Sequence, residues 1–220
     1  MRQTFDREMQ EIQDEVLALG SMVESALIES VRVLQSRDAK GAEWLIVRDR
    51  QLNERRFAIE ADCLALIATQ QPLAGDLRTL AAVLEITTEL ERIGDYAKGI
   101  GKISLMLGAG PLPQALPYVP QMAEKGRDML HRALDAFIAR DEALARAISA
   151  EDDVVDGLYL QTYRALIAHI LADPQMIEPI NYLLWVAHNL ERAADRVTNI
   201  CERVIFTVTG ELAELDGNGG

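Results

Sequence analysis

The sequence predicts an all-α protein, with six long helices forming two similar antiparallel three-helix bundles. Three observations carry that prediction. Heptad stripes of apolar residues run through almost the whole 220-residue chain. A six-residue motif is written twice: Leu90-Glu91-Arg92-Ile93-Gly94-Asp95 returns one hundred residues later as Leu190-Glu191-Arg192-Ala193-Ala194-Asp195. Between the two halves lies GAGPLPQALPYVP, residues 108–120, which holds four of the seven prolines. A pattern that restarts at a fixed offset beyond a helix-breaking segment indicates a duplicated unit.

The elements follow in order. Phe5, Met9, Ile12, Val16, Leu19, Val23, Ala26, Ser30 and Val33 alternate spacings of four and three, which predicts a long first helix packed at a shallow angle on its neighbours. It stops near Ser36-Arg37-Asp38, where Asp38 is a good N-cap for a second helix reaching about Thr69. Gln71-Pro72 ends that helix, because proline disfavours the helical conformation in the residue before it. A third helix runs from about Ala74 to Met106. After the linker a fourth runs from about Tyr118 to Ala139, and Arg140-Asp141 restates Arg37-Asp38 at an offset of 103. A fifth reaches Leu171, Asp173-Pro174 echoes Gln71-Pro72, and a sixth spans about Met176 to Val208. The predicted organisation is therefore a first repeat at 1–107, a linker at 108–120, a second repeat at 121–209 and a frayed tail at 210–220. No segment alternates apolar and polar residues for long enough to read as a strand.

Composition narrows the function. A formal net charge of −13 with no Lys/Arg cluster argues against nucleic-acid binding, because nothing is arranged to neutralise phosphates. Acidic surface suits cations, basic partners or plain solubility. Cys63 and Cys201 form no CxxC pair and sit on apolar helical faces, so buried free thiols are expected. The opening residues MRQTFDREMQEIQDE do not read as a secretory signal. No run of about 18 apolar residues could enter a membrane, and the expected compartment is the cytoplasm.

The stripes also place acids where apolar residues belong. On the third helix the stripe reads Leu77, Leu80, Leu84, Thr87, Glu91, Gly94, Lys98, Gly101, and on the sixth Ile180, Leu184, Ala187, Glu191, Ala194, Thr198, Cys201. The second and fifth helices place Asp49 and Asp152 on their stripes, again 103 apart, with Asn53 and Asp156 one turn later. Glu91 and Asp95 share one helical face, as do Glu191 and Asp195. A carboxylate in a helix seam costs several kcal/mol unless an opposite charge or a cation compensates it. The first half thus offers Asp49, Asn53, Glu91 and Asp95, and the second Asp152, Asp156, Glu191 and Asp195. All-oxygen sets suit hard cations such as Mg²⁺, Mn²⁺, Ca²⁺ or ferric iron, whereas zinc usually wants histidine or thiolate too. The competing reading is inter-helix salt bridging, with Arg92 and Arg192 inside the motifs and Arg48, Arg50, Arg55 and Arg56 on the second helix.

Other chemistries lack their residues. Di-iron carboxylate bundles need Glu-x-x-His, but Glu91 and Glu191 are followed at +3 by Gly94 and Ala194. His131, His169 and His188 are scattered, although His169 and His188 could approach each other across the fifth and sixth helices. Gly108-Ala109-Gly110 lacks the Lys-Ser/Thr of a phosphate loop. No catalytic constellation is expected.

The two Glu-x-x-x-Asp motifs, with Gln71-Pro72-Leu73-Ala74-Gly75-Asp76-Leu77-Arg78 opening the third helix, resemble the PhoU family over roughly residues 5–208. The resemblance implies a PhoU-like tandem repeat of three-helix bundles whose motifs hold metal ions or multinuclear clusters, with iron or zinc the expected metals. Carried over, the ligands are Glu91 and Asp95 in one half and Glu191 and Asp195 in the other, with Asp49, Asp152 and Asp156 at the family's acidic positions on the preceding helices. It also implies a homodimeric, non-enzymatic regulator acting with a phosphate transporter ATPase subunit and a sensor histidine kinase to silence the phosphate-starvation response when phosphate is plentiful. The sequence departs from the family at Gly99, where Asn is frequent and Asn199 stands in the second half, and at Asn53, neutral where Asp156 is charged. Both departures weaken the first cluster. A ferritin-like metal-storage protein and a purely structural helical adaptor are the alternatives.

Overall fold

A computed structural model describes residues 2–108, 116–212, 214 and 215. Most of the expected linker (109–115) and tail (213 and 216–220) therefore lies outside the described residues. The helices are α1 (Arg2–Ser36), α2 (Ala39–Gln70), α3 (Ala74–Leu107), α4 (Tyr118–Ala139), α5 (Glu142–Ser149), α6 (Asp152–Ala172) and α7 (Ile177–Thr209), with a 3₁₀ turn at Pro174–Met176. Helices α1, α2 and α3 pack together as one bundle, and α4 to α7 as the other. No strand occurs among the described residues, and none of their helices is long and apolar enough to cross a membrane.

The two halves begin alike. Helix α1 ends at Arg37 in the left-handed conformation (φ 56°), and the Asp38 amide reaches back to the Val33 carbonyl at 3.0 Å. Helix α4 ends at Arg140 (φ 53°), with the Asp141 amide on the Ala136 carbonyl at 2.9 Å. Both are left-handed helix ends that satisfy carbonyls the helix leaves over. Each aspartate then caps the next helix: Asp38 Oδ1 accepts from the Gly41 amide at 2.9 Å, and Asp141 Oδ1 from the Leu144 amide at 2.9 Å. The expected cap at Asp38 is present, and the 103-residue echo extends to its hydrogen bonds.

The predicted fifth helix is interrupted. Around Ala150-Glu151 the backbone tightens to i→i−3 bonding, with the Glu151 amide on the Ile148 carbonyl and the Val154 amide on Glu151. The Glu151 carboxylate accepts from both Arg132 Nη1 and Nη2 at 2.9 Å and also from Lys125 Nζ, all on α4. Helix α6 thus begins at Asp152, with Asp152 and Asp153 in its first turn, where the helix dipole favours negative charge. Nothing matches this in the first half, where Arg48 occupies the equivalent place within an unbroken α2.

The stripes form the core. On α1, Phe5, Ile12, Val16, Leu19, Val23, Ala26, Ser30 and Val33 are buried, and the Ser30 hydroxyl is satisfied by donating to the Leu27 carbonyl at 2.7 Å. On α2 the same holds from Leu45 through Leu66, with only Arg56 half-exposed. Leu77 is a correction, since it is exposed on the first turn of α3. Helix α3 buries more than the predicted stripe: Val83, Ile86, Leu90, Ile93, Ala97 and Ile100 form a second face. That face is needed because α3 packs on α1 and α7 as well as α2, and the α3–α7 seam is the most extensive in the molecule. One apolar cluster runs through both bundles. Cys63 and Cys201 lie buried in it as free thiols, each pushed up to about 12, chiefly by burial.

Candidate metal centre

In the second half, α6 and α7 face each other with acids at i and i+4. Oxygens of Asp152, Asp156 and Asp195 lie within 4.8 Å of one another. Asp152 is pushed up to about 7, first by burial and then by Asp195, Asp156 and Glu191. Glu191 also rises to about 7, from burial and then from Asp195 and Asp156, against a weaker pull from Arg192. Asp195 and Asp156 are raised as well, burial again leading. Four carboxylates close together, all but the exposed Asp156 half-buried, resist ionising together.

Little in the protein relieves them. Among the described residues none of the four is ion-paired with a lysine or arginine. The contact within ion-pair distance is His188 Nδ1, 3.2 Å from Glu191 Oε2. Asp152 Oδ1 and Glu191 Oε2 are buried and accept no hydrogen bond. Arg192 instead lies 5.5 Å over the Tyr96 ring, and Arg196 Nη1 donates to Glu89 Oε2 at 3.4 Å. Three convergent carboxylates from two helices, one of them carrying a buried oxygen that accepts no hydrogen bond, fit a bound cation, and the donor set favours a hard ion. His188 supplies the nearby nitrogen that zinc would want.

The first half is built differently. Asp49, 7% exposed, is the most buried of the eight predicted residues. Lys98 Nζ donates to Asp49 Oδ2 at 2.7 Å and to Asp95 Oδ1 at 2.9 Å. Asn53 Nδ2 donates to Asp49 Oδ2 at 3.3 Å and to its backbone carbonyl at 3.2 Å. Glu91 is raised by burial and by Asp95, with Arg56 and Lys98 opposing. The Lys98 ammonium is itself favoured, most by its bond to Asp49.

The structure therefore brings Asp152, Asp156 and Asp195 together in the second half, with Glu191 near enough to raise Asp152. In the first half it links Asp49 to Asn53 directly and to Asp95 through Lys98, with Glu91 outside those bonds. The arginines do not supply the alternative salt bridges. Arg92 pairs with Glu89 at 2.7 Å, Arg50 with Glu54 at 3.0 Å and Arg55 with Glu15 at 2.7 Å. Arg48 stacks 4.8 Å over Trp44, and Arg56 pairs with Glu60 at 3.7 Å. Lys98, read from sequence only as a stripe position, makes the ion pair instead. The matching position, Thr198, spends its hydroxyl on the Asp195 carbonyl at 2.7 Å.

Two further readings change. His169 is exposed in the last turn of α6, while His188 packs near Tyr159 with ring centroids 6.4 Å apart. Ten residues of helix, about 15 Å, separate Tyr159 from His169, so the two histidines do not meet. Positions 99 and 199 belong to the α3–α7 seam. Asn199 Nδ2 donates to Glu89 Oε2 at 3.2 Å, and a Cβ on Gly99 would stand 3.2 Å from Asn189 Nδ2. Position 89 faces 199 as 189 faces 99, so the seam has approximate two-fold symmetry. Glu89, only 9% exposed and held by Arg92, Arg196 and Asn199, was missed because two of its three partners lie on the far half.

Fold and site together define a duplicated helical-bundle protein with acids facing each other across two helices in each repeat, paired by Lys98 in one half and by no lysine or arginine among the described residues in the other. The sequence model of the PhoU domain matches residues 16–104 and 119–204, one match per half. The chain belongs to the PhoU family. It is 32% identical over 216 residues to the phosphate-specific transport system accessory protein PhoU homolog of Clostridium acetobutylicum, covering 98% of this chain and 99% of that one. It is 34% identical over 209 residues to the protein so named in Caulobacter vibrioides, covering 94% of this chain and 91% of that one. The crystal structure of the phosphate transport system regulatory protein PhoU from Streptococcus pneumoniae superposes with a TM-score of 0.89 at 32% identity, covering 96% of this chain and all of that one. That of PhoU from Pseudomonas aeruginosa gives 0.88 at 31% identity, covering 94% of this chain and all of that one.

Proposed function

We propose that this chain is a cytoplasmic, non-enzymatic regulator of phosphate uptake and of phosphate-starvation signalling. It docks as a homodimer on the ATPase subunit of a phosphate transporter and on a sensor histidine kinase, and restrains both when phosphate is plentiful. The observation that carries this reading is the match to phosphate transport accessory proteins over both repeats and nearly the whole length. The acids of α6 and α7 hold a metal ion, iron or zinc by family resemblance, with manganese or magnesium compatible with the oxygen donors. A bound ion would let four carboxylates ionise together and would tie α6 to α7.

Two observations weigh against the alternatives. A ferritin-like store would need Glu-x-x-His pairs, and neither motif supplies one. A purely structural adaptor accounts for the pairing of Lys98 with Asp49 and Asp95 in the first half, but leaves the second-half acids with no lysine or arginine partner among the described residues.

Deletion of the gene tests the regulatory role. Phosphate uptake and starvation-gene expression are expected to stay high in phosphate-rich medium, with repression restored by the intact gene. Unchanged repression in the deletion strain would contradict the proposal.

A further inference from the structure

We propose that Lys98 is the resident cation of the first-half cluster, so that metal loading is confined to the second half. The inference rests on the metal reading just given and concerns what distinguishes the two repeats. Lys98 Nζ lies between Asp49 Oδ2 and Asp95 Oδ1, at 2.7 and 2.9 Å. The equivalents of those two acids, Asp152 and Asp195, are among the three whose oxygens converge in the second half. The ammonium thus stands where a metal ion would be shared between the helices.

Two differences act together. The second half has Thr198 where the first has Lys98, and Asp156 where the first has Asn53. One cluster therefore combines four carboxylates, and the other three carboxylates with an ammonium and an amide. The Asn53 amide nitrogen donates to Asp49 Oδ2, a bond that the Asp156 carboxylate cannot supply to Asp152. A metal could enter only by expelling Lys98, exchanging two charge-assisted hydrogen bonds for coordination by a weaker donor set.

The test uses the full-length, tag-free protein with Mn²⁺ as the probe, read by elemental analysis after desalting and by thermal melts. In an Asp156→Asn/Asp195→Asn background the second half is disabled, and no manganese should remain. Adding Lys98→Thr and Asn53→Asp to that background is expected to restore binding and to make the melting temperature rise with Mn²⁺. Lys98→Met, which keeps the aliphatic stem, is the companion should Lys98→Thr fold poorly. It should lower the metal-free melting temperature and recover on adding Mn²⁺, a recovery that a packing role alone would not give. Retention of manganese at Lys98 with the second half disabled would overturn the proposal. So would a folded Lys98→Thr/Asn53→Asp protein that gains none. Absence of manganese from the wild type counts instead against the metal reading of the second half, and the gain at the first half still reports on Lys98.

Discussion

At the residue scale, the eight predicted ligand positions separate into two electrostatic problems with different solutions. In the first, Lys98 brings its charge along an aliphatic stem into the seam. In the second, no lysine or arginine among the described residues pairs with the acids, and burial and mutual repulsion raise them. The pH dependence of the metal-free protein follows. Asp152 and Glu191 have folded-state values near 7, above the ordinary carboxylate range. Between about pH 4 and 7 the folded state therefore binds more protons than the unfolded one, and stability falls as pH rises through that window, then levels off. The metal-free melting temperature should be higher at pH 5 than at pH 7.5. At pH 7.5 Asp152→Asn should raise it, by about 2–4 °C for each kcal/mol of repulsion relieved. A midpoint that climbs from pH 5 to pH 7.5 would contradict this account. Oppositely signed groups act lower: Glu151, held down by Arg132 and Lys125, and Glu29, held down by Arg32, give up their contributions only as pH drops through the acid range. The acids themselves were legible, because a carboxylate on an apolar stripe is conspicuous. The pairing of Lys98 with Asp49 was not, since a flexible lysine on a stripe usually reaches for solvent, and only the register of α2 against α3 reveals it.

At the element scale, local chemistry sets the helix ends. Asp38 and Asp141 each follow a left-handed arginine and cap the next helix, and cap removal typically costs about 1 kcal/mol. Asp141→Ala should therefore destabilise the protein by about 1 kcal/mol in urea titration. Asp38→Ala should cost at least as much, since Asp38 also accepts from Arg32 Nη2 at 3.1 Å. Unfolding midpoints unmoved by both changes would remove the capping explanation for the repeat boundary. These caps were readable because the signal lies within four residues. The break between α5 and α6 was not read, although Glu151-Asp152-Asp153 carries the acidic signature of a helix start. The uninterrupted stripe through Ile148, Val155, Thr162 and Leu166 masked it, since the path bends without losing its buried face.

At the scale of the whole molecule, duplication predicted two bundles, and the structure joins them through one core. Heptad reading assigns one buried face per helix, whereas α3 meets neighbours from both bundles. Its second face, with Ile86, Leu90 and Ile93, was therefore invisible until the bundles were set against each other. The same seam fixes Glu89 against Arg196 and Asn199, and Gly99 against Asn189. A shared core this continuous should unfold as one unit. Calorimetry is expected to show a single transition whose calorimetric and van't Hoff enthalpies agree. Two resolved transitions would mean that the halves are energetically separate.

The central claim is that the α6–α7 acids hold a metal while the α2–α3 acids are held by Lys98. Elemental analysis of the purified, tag-free protein, beside an Asp156→Asn/Asp195→Asn variant shown by circular dichroism to be folded, tests it most directly. Bound iron, zinc or manganese in the wild type and none in the variant is the predicted result. Metal retained by the variant, or none in a wild type incubated with these ions, would contradict it.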